Sequence, residues 1–344
     1  MSKSFGWIQG VAHSIDRGFD MNRVQGWFVI LFILLISIAL ALSTGPVKVS
    51  LLNMSPTDKV ILFNLRLPRL VSSFFVGGGL ALAGAIFQGL FRNPLADSYI
   101  LGISSGASLG AATAIVLGFT SPLAAFTAVS FFSFLGSLAA LALVFYFGSL
   151  SGIISPFRLL LSGLGVGLFL SSLVAILMLM AEEELKALIF FFLGGFSASS
   201  WETAFLALSF APIGVLVAFY YSKELNVLLL GDETAQSSGI NTVFVQSIYA
   251  IIAAFLTSVS VSVAGLIGFV GLIVPHMVRM IFGADHRILF PFTFFVGGIF
   301  LILCDTIAKV VIAPSELPVG VVTSLCGVPF FLYLLKREKG EYGL

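Results

Sequence analysis

Hydrophobic residues in this chain fall into long blocks separated by short polar breaks, and each block is close to the ~20 residues that a helix needs to cross a bilayer. The first block, 27–42, is read as span 1. Its Ala39-Leu40-Ala41 resembles a signal-peptidase site, but a long polar leader precedes it and many spans follow, which argues against cleavage. Spans 2 to 6 are placed at 70–90, 98–118, 122–147, 156–180 and 204–221. Between spans 5 and 6, residues 185–201 are apolar but broken by Gly194-Gly195 and by serines, and predict a short outer-face helix and loop. The stretch 243–282 is too long for one span. Its Gly265, Gly268 and Pro275 predict two helices joined by a tight turn, spans 7 and 8, and spans 9 and 10 follow at 288–309 and 317–335. The expected fold class is an all-α polytopic membrane protein of about ten transmembrane helices. Residues 1–25 form an amphipathic cytoplasmic segment, with Trp7, Ile8, Val11, Ile15 and Phe19 at helical spacing, and 26–344 form one transmembrane domain.

One mid-chain polar interval, 225–241, is long enough to fold by itself. Leu225, Leu228 and Leu229 share a helical face and Gly231 can close that turn. Asp232 can N-cap a second short helix carrying Glu233 and Gln236, which Gly239 closes. The interval is either a plain solvated loop or a surface presented to another protein.

Basic residues orient the chain. With the N-terminus inside, eleven Lys and Arg lie on the cytoplasmic side and six outside, which places 225–241 and both termini in the cytoplasm. The echo of Ala83-Gly84-Ala85-Ile86 in Ala264-Gly265-Leu266-Ile267 suggests an inverted repeat of spans 2–5 and 7–10.

Composition agrees with lipid: 59% of the residues are hydrophobic and 10% charged, against about 25% charged in soluble domains. A net charge of +1 gives no reason to expect a nucleic-acid partner. The two cysteines, Cys304 and Cys326, lie in apolar runs and supply neither a disulfide framework nor metal spacing.

Gly102, Gly106 and Gly110 recur every four residues and predict close helix packing in span 3. Span 5 carries Ser162, Gly163, Gly165, Gly167, Ser171 and Ser172, which suit either packing or a smooth wall along which a bulky solute slides. Arg66 and Arg69 precede span 2 on the outer face, where either lipid headgroups or an acidic partner would hold them. Asn93-Pro94 and Pro275-His276 read as helix corners. His276 has no second ligand at i+3 or i+4, so no metal site is expected.

The chain has no GxxxxGK[ST] motif for nucleotide, and its spans are nearly free of carboxylates, Asp305 being the main exception. A proton-coupled secondary transporter, which needs ionisable groups near mid-membrane, is the leading alternative class to a carrier driven by a partner. A channel lacks a filter signal. An intramembrane enzyme would have only His276, Asp285 and His286 to work with.

Taken in order, RLPR, VGGGLALAGAIFQGLFRNPLADSYILGISSGASLG, LLLGDETAQSSGIN, GLIGFVGLIVPHMVRMIFGADHRILFP, CDTIAK and ELPVGVVTSLCGVPFFLYLLKR resemble the FecCD-type permeases, from Arg66 to the C-terminus. These are the membrane subunits of ABC importers for ferric siderophores, haem and cobalamin. The resemblance implies a type II importer fold and a homodimer in the inner membrane of a prokaryote. It also implies two cytoplasmic P-loop ATPases, which carry the ATP and magnesium, and an outer substrate-binding protein. No cofactor is expected in this chain. By the resemblance, 225–241 forms the coupling helices seated on the ATPase, and Arg66 and Arg69 pair with acidic residues of the binding protein. Lys309 stands where the family carries a third such arginine, which keeps the charge without bidentate geometry. Span 5 would line the dimer-axis pathway with parts of span 10. Ferric siderophore ranks first as substrate, with cobalamin, haem and an oxyanion behind it.

Overall fold

The computed structural model describes residues 23–45, 47, 54–97, 99, 101–118, 122–149, 156–181 and 183–341. The amphipathic segment expected over 1–25 lies outside them, except that residues 23–25 open the first helix.

Backbone polar groups in lipid must be satisfied within the protein, and all the secondary structure described is helical. Helix α1 is Arg23–Ser43. Helix α2, Pro56–Val60, continues through a π-helical turn, Ile61–Arg66, into α3, Leu67–Leu90. Then come α4 (Ile103–Val116), α5 (Pro122–Ser149), α6 (Pro156–Met180), α7 (Leu185–Leu193), α8 (Trp201–Tyr220), α9 (Ser222–Leu228) and α10 (Asp232–Ser237). The chain ends with α11 (Thr242–Ala264), α12 (Val270–Phe282), α13 (His286–Val310) and α14 (Val319–Glu341). Seven helical stretches are long and apolar enough to cross a membrane, and α4, α12 and the 319–333 part of α14 are shorter apolar helices. Together they account for the ten expected spans.

Helix α3 is the central post. Every residue from Val76 to Leu90 is buried, and it packs on α8, α11, α12 and α13. Small residues permit this. A Cβ on Gly77 would overlap the Gly297 carbonyl of α13, and one on Gly84 would overlap the Gly271 carbonyl of α12. The glycine ladder of α4 acts likewise, with Gly106 against Gly136 of α5 and Gly110 against the Phe132 backbone.

Two expected boundaries move. The RLPR motif lies inside the continuous helical run from Pro56 rather than in a loop ahead of span 2, because Ser55 and Asp58 form a capping box that starts the helix there. Span 3 begins at Ile103 rather than 98, since Gly102 stands in the left-handed region (φ 69°). Phe269 does the same ahead of α12 (φ 69°). At 14 and 13 residues, α4 and α12 are about 20 Å long, shorter than the ~30 Å hydrocarbon core. Two half-length helices at matching places, each after a left-handed residue, accord with the inverted repeat.

Candidate functional site

The polar interval folds as the two short helices α9 and α10. Leu225, Leu228 and Ala235 are fully buried and anchor them to the bundle, and Leu229 and Gly231 are half-buried. Leu230, Glu233, Thr234, Gln236 and Gly239 face outward and form the available surface. Gly239 closes α10 at φ 82°, donating from its N–H to the Gln236 carbonyl while Ile240 donates to Ala235. Asp232 is not the N-cap. Gly231 takes that place at φ 123°, and the Asp232 carboxylate turns away to accept from Arg92.

The segment is tied down twice. Arg92 donates to the Leu228 carbonyl at 2.7 Å as well as to Asp232. Asn226 donates to Asp285 at 2.8 Å, while its side-chain oxygen accepts from the His286 backbone at 3.1 Å. Asp285, the N-cap of α13, also accepts from the Arg287 guanidinium, which holds its carboxyl down at about 2. Neither Arg92 nor Asn226 stands out in the sequence, because each acts on residues more than fifty positions away.

The expected docking residues lie toward the other end of α3 and are engaged within the chain. Arg66 is buried and donates to the carbonyls of Leu42 and Val47, pinning the connection after α1. Arg69 forks between two carboxylates, 2.8 Å from Asp305 and 2.8 Å from Glu316. Lys309 reaches the second oxygen of Asp305 at 2.7 Å. Two cations and two carboxylates thus form a neutral network joining α3, α13 and the segment before α14. Glu316 is its most accessible member, at 26% exposure, and also accepts from Ser197 at 2.8 Å. The sequence shows these charges but not their pairing.

The α6 wall divides. Gly163 and Gly167 lie against Gly102 and belong to the packing side, whereas Gly165 has nothing within contact of a Cβ and is exposed. Ser162 is half-buried, Ser171 bonds Ser105 at 3.0 Å, and Ser172 donates back to Leu168. Leu161, Leu164, Leu168, Phe169 and Leu179 complete an exposed apolar face. A cavity of about 700 Å³ lies along α14, lined by Tyr99, Leu266, Gly268, Gly320, Ser324 and Val328 among others.

Asn93 and Pro94 make a corner after α3, where the Asn93 side chain accepts from the Leu95 N–H at 2.9 Å. Pro275 and His276 do not: both sit inside α12. Proline removes the donor that would have met the Gly271 carbonyl. The Gln88 amide of α3 supplies donors instead, to Gly271 and Leu272 at 3.3 Å each, so the helix continues through the proline.

The described residues thus form a membrane-type bundle of ten apolar helical stretches, seven long and three short, with an anchored polar surface at one end. The family model of the FecCD transport family matches residues 29–337, and the chain belongs to that family. The cobalamin import system permease protein BtuC of Halobacterium salinarum is 40% identical over 82% of this chain and 75% of its own length. The hemin transport system permease protein HmuU of Yersinia pestis is 38% identical over 93% of this chain and 98% of its own. Among solved structures, a transporter assigned to the metal-chelate ABC type, in an inward-facing conformation, superposes with a TM-score of 0.81 at 32% identity. That match covers 90% of this chain and 98% of the other.

Proposed function

We propose that this chain is the membrane permease subunit of an ATP-driven ABC importer that carries a large metal chelate into a prokaryotic cell. Ferric siderophore ranks first as cargo, and cobalamin and haem follow from the names of its relatives. The observation that carries the reading is α9–α10, an exposed polar surface set on buried leucines, in a chain of this family that has no nucleotide motif of its own. Two copies pair in the cytoplasmic membrane with both termini inside. Two P-loop ATPases seat on α9–α10, and an outer binding protein delivers the cargo.

Nucleotide turnover moves the ATPases, α9–α10 passes that movement to the bundle, and the helices around the dimer axis tilt between outward and inward opening. Cargo slides past the apolar face of α6 and the α14 cavity, where no charged side chain holds it. On the outer face the binding protein meets Arg66, Arg69 and Lys309 by exchange, a partner carboxylate taking the place of Glu316 on Arg69. A proton-coupled mechanism has little to use, since Asp305 is already held by two cations.

Gly239→Val tests this. A Cβ there meets no neighbour, so the main cost of the change is the left-handed backbone, about 1–3 kcal/mol. The variant is expected to insert and bind cargo-loaded partner normally while ATP-driven uptake in proteoliposomes falls at least several-fold. Unchanged uptake contradicts the coupling role of this surface.

A further inference from the structure

The connection between α3 and α4 touches three regions that the importer reading treats separately. At its start, Arg92 (φ 49°) holds the coupling segment through the Leu228 carbonyl and the Asp232 carboxylate. Seven positions on, the Tyr99 hydroxyl accepts from the Ile267 N–H at 2.8 Å and donates to the Ile267 carbonyl at 2.8 Å. Ile267 is fully buried in the non-helical turn between α11 and α12, where both groups would otherwise go unmet in an apolar interior. Tyr99 also lines the α14 cavity beside Leu266 and Gly268. At the end of the connection, Gly102 lies backbone to backbone on Gly163 and Gly167 of α6.

Backbone bonds brace the two ends of this connection. Asn93 donates to the Gln88 carbonyl, Ala96 to Asn93, and Gly102 to Tyr99. Only seven positions of chain separate Arg92 from Tyr99, so a displacement of one end is carried toward the other by the covalent backbone. We infer that it is the strap that carries displacement of α9–α10 to the cavity wall, with Arg92 gripping the coupling segment and Tyr99 holding the 265–269 turn. Both are positioning residues. The inference deepens the importer reading by naming the route between the ATPase contact and the pathway.

The test is hydrogen exchange of the 265–269 amides, read by mass spectrometry on the full chain in lipid nanodiscs, which needs neither ATPase nor cargo. Tyr99→Phe removes only the hydroxyl, and with it both bonds to the buried Ile267 peptide unit, and is expected to speed exchange at least about fivefold. Asp232→Asn, at the other end of the strap, is expected to raise exchange at 265–269 as well. The charge-swapped pair Arg92→Asp with Asp232→Arg is expected to bring it back toward the wild-type rate. If Asp232→Asn leaves these amides unchanged while Tyr99→Phe exposes them, Tyr99 braces the turn locally and the strap is refuted. If neither variant changes them, the hydroxyl contact itself fails. The importer reading is judged separately, by ATP-driven uptake of the wild-type complex.

Discussion

Asp305 shows how one carboxylate can organise a membrane-embedded site. It receives Arg69 on one side and Lys309 on the other, and it is 2% exposed, so removing it leaves two buried cations with only Glu316 to share. Breaking a buried pair from one side costs about 3–5 kcal/mol, whereas losing the partly exposed Glu316 costs far less. Asp305→Ala is therefore expected to lower the thermal midpoint in detergent much more than Glu316→Ala. Equal shifts would show that the four charges do not act through Asp305. The residues of this network are visible in the sequence, where Arg69 and Lys309 look like cations on offer to a partner. Their engagement is not visible, because Arg69 and Asp305 are 236 positions apart and meet only when α3 packs on α13.

At the scale of elements, hydropathy blocks locate the spans well because lipid demands long apolar helices. Ends are less legible where a tertiary contact overrides the local signal. Proline at 275 reads as a break, yet α12 runs through it because Gln88 donates to the freed carbonyl of Gly271, 183 positions further on. The real break comes at Gly265 and Phe269, whose left-handed backbone is set by the turn. Gln88→Met keeps the volume and removes the donors. It is expected to cost about 1 kcal/mol, with faster amide exchange confined to the first turns of α12; protection equal to wild type would show that α12 stands without this bond. The two short helices of 225–241 are legible in the sequence as elements, but their faces are not. Leu225 and Leu228, which look like contact residues, are the anchors, and the surface belongs to Leu230, Glu233 and Gln236.

The whole molecule is a bundle built around a buried, glycine-bearing post, with a polar surface at one end and a self-neutralised charge network toward the other. This arrangement suits a protein whose helices move as packed units. The measurement that tests this most directly is gentle purification of the chain from its own membrane, followed by mass spectrometry of what accompanies it. A P-loop ATPase is expected in equal amount, and it is expected to be lost when exposed Gln236 and Glu233 of α10 are both changed to Arg, with the permease still folded. A chain that purifies alone and moves solute in liposomes without ATP would contradict the account.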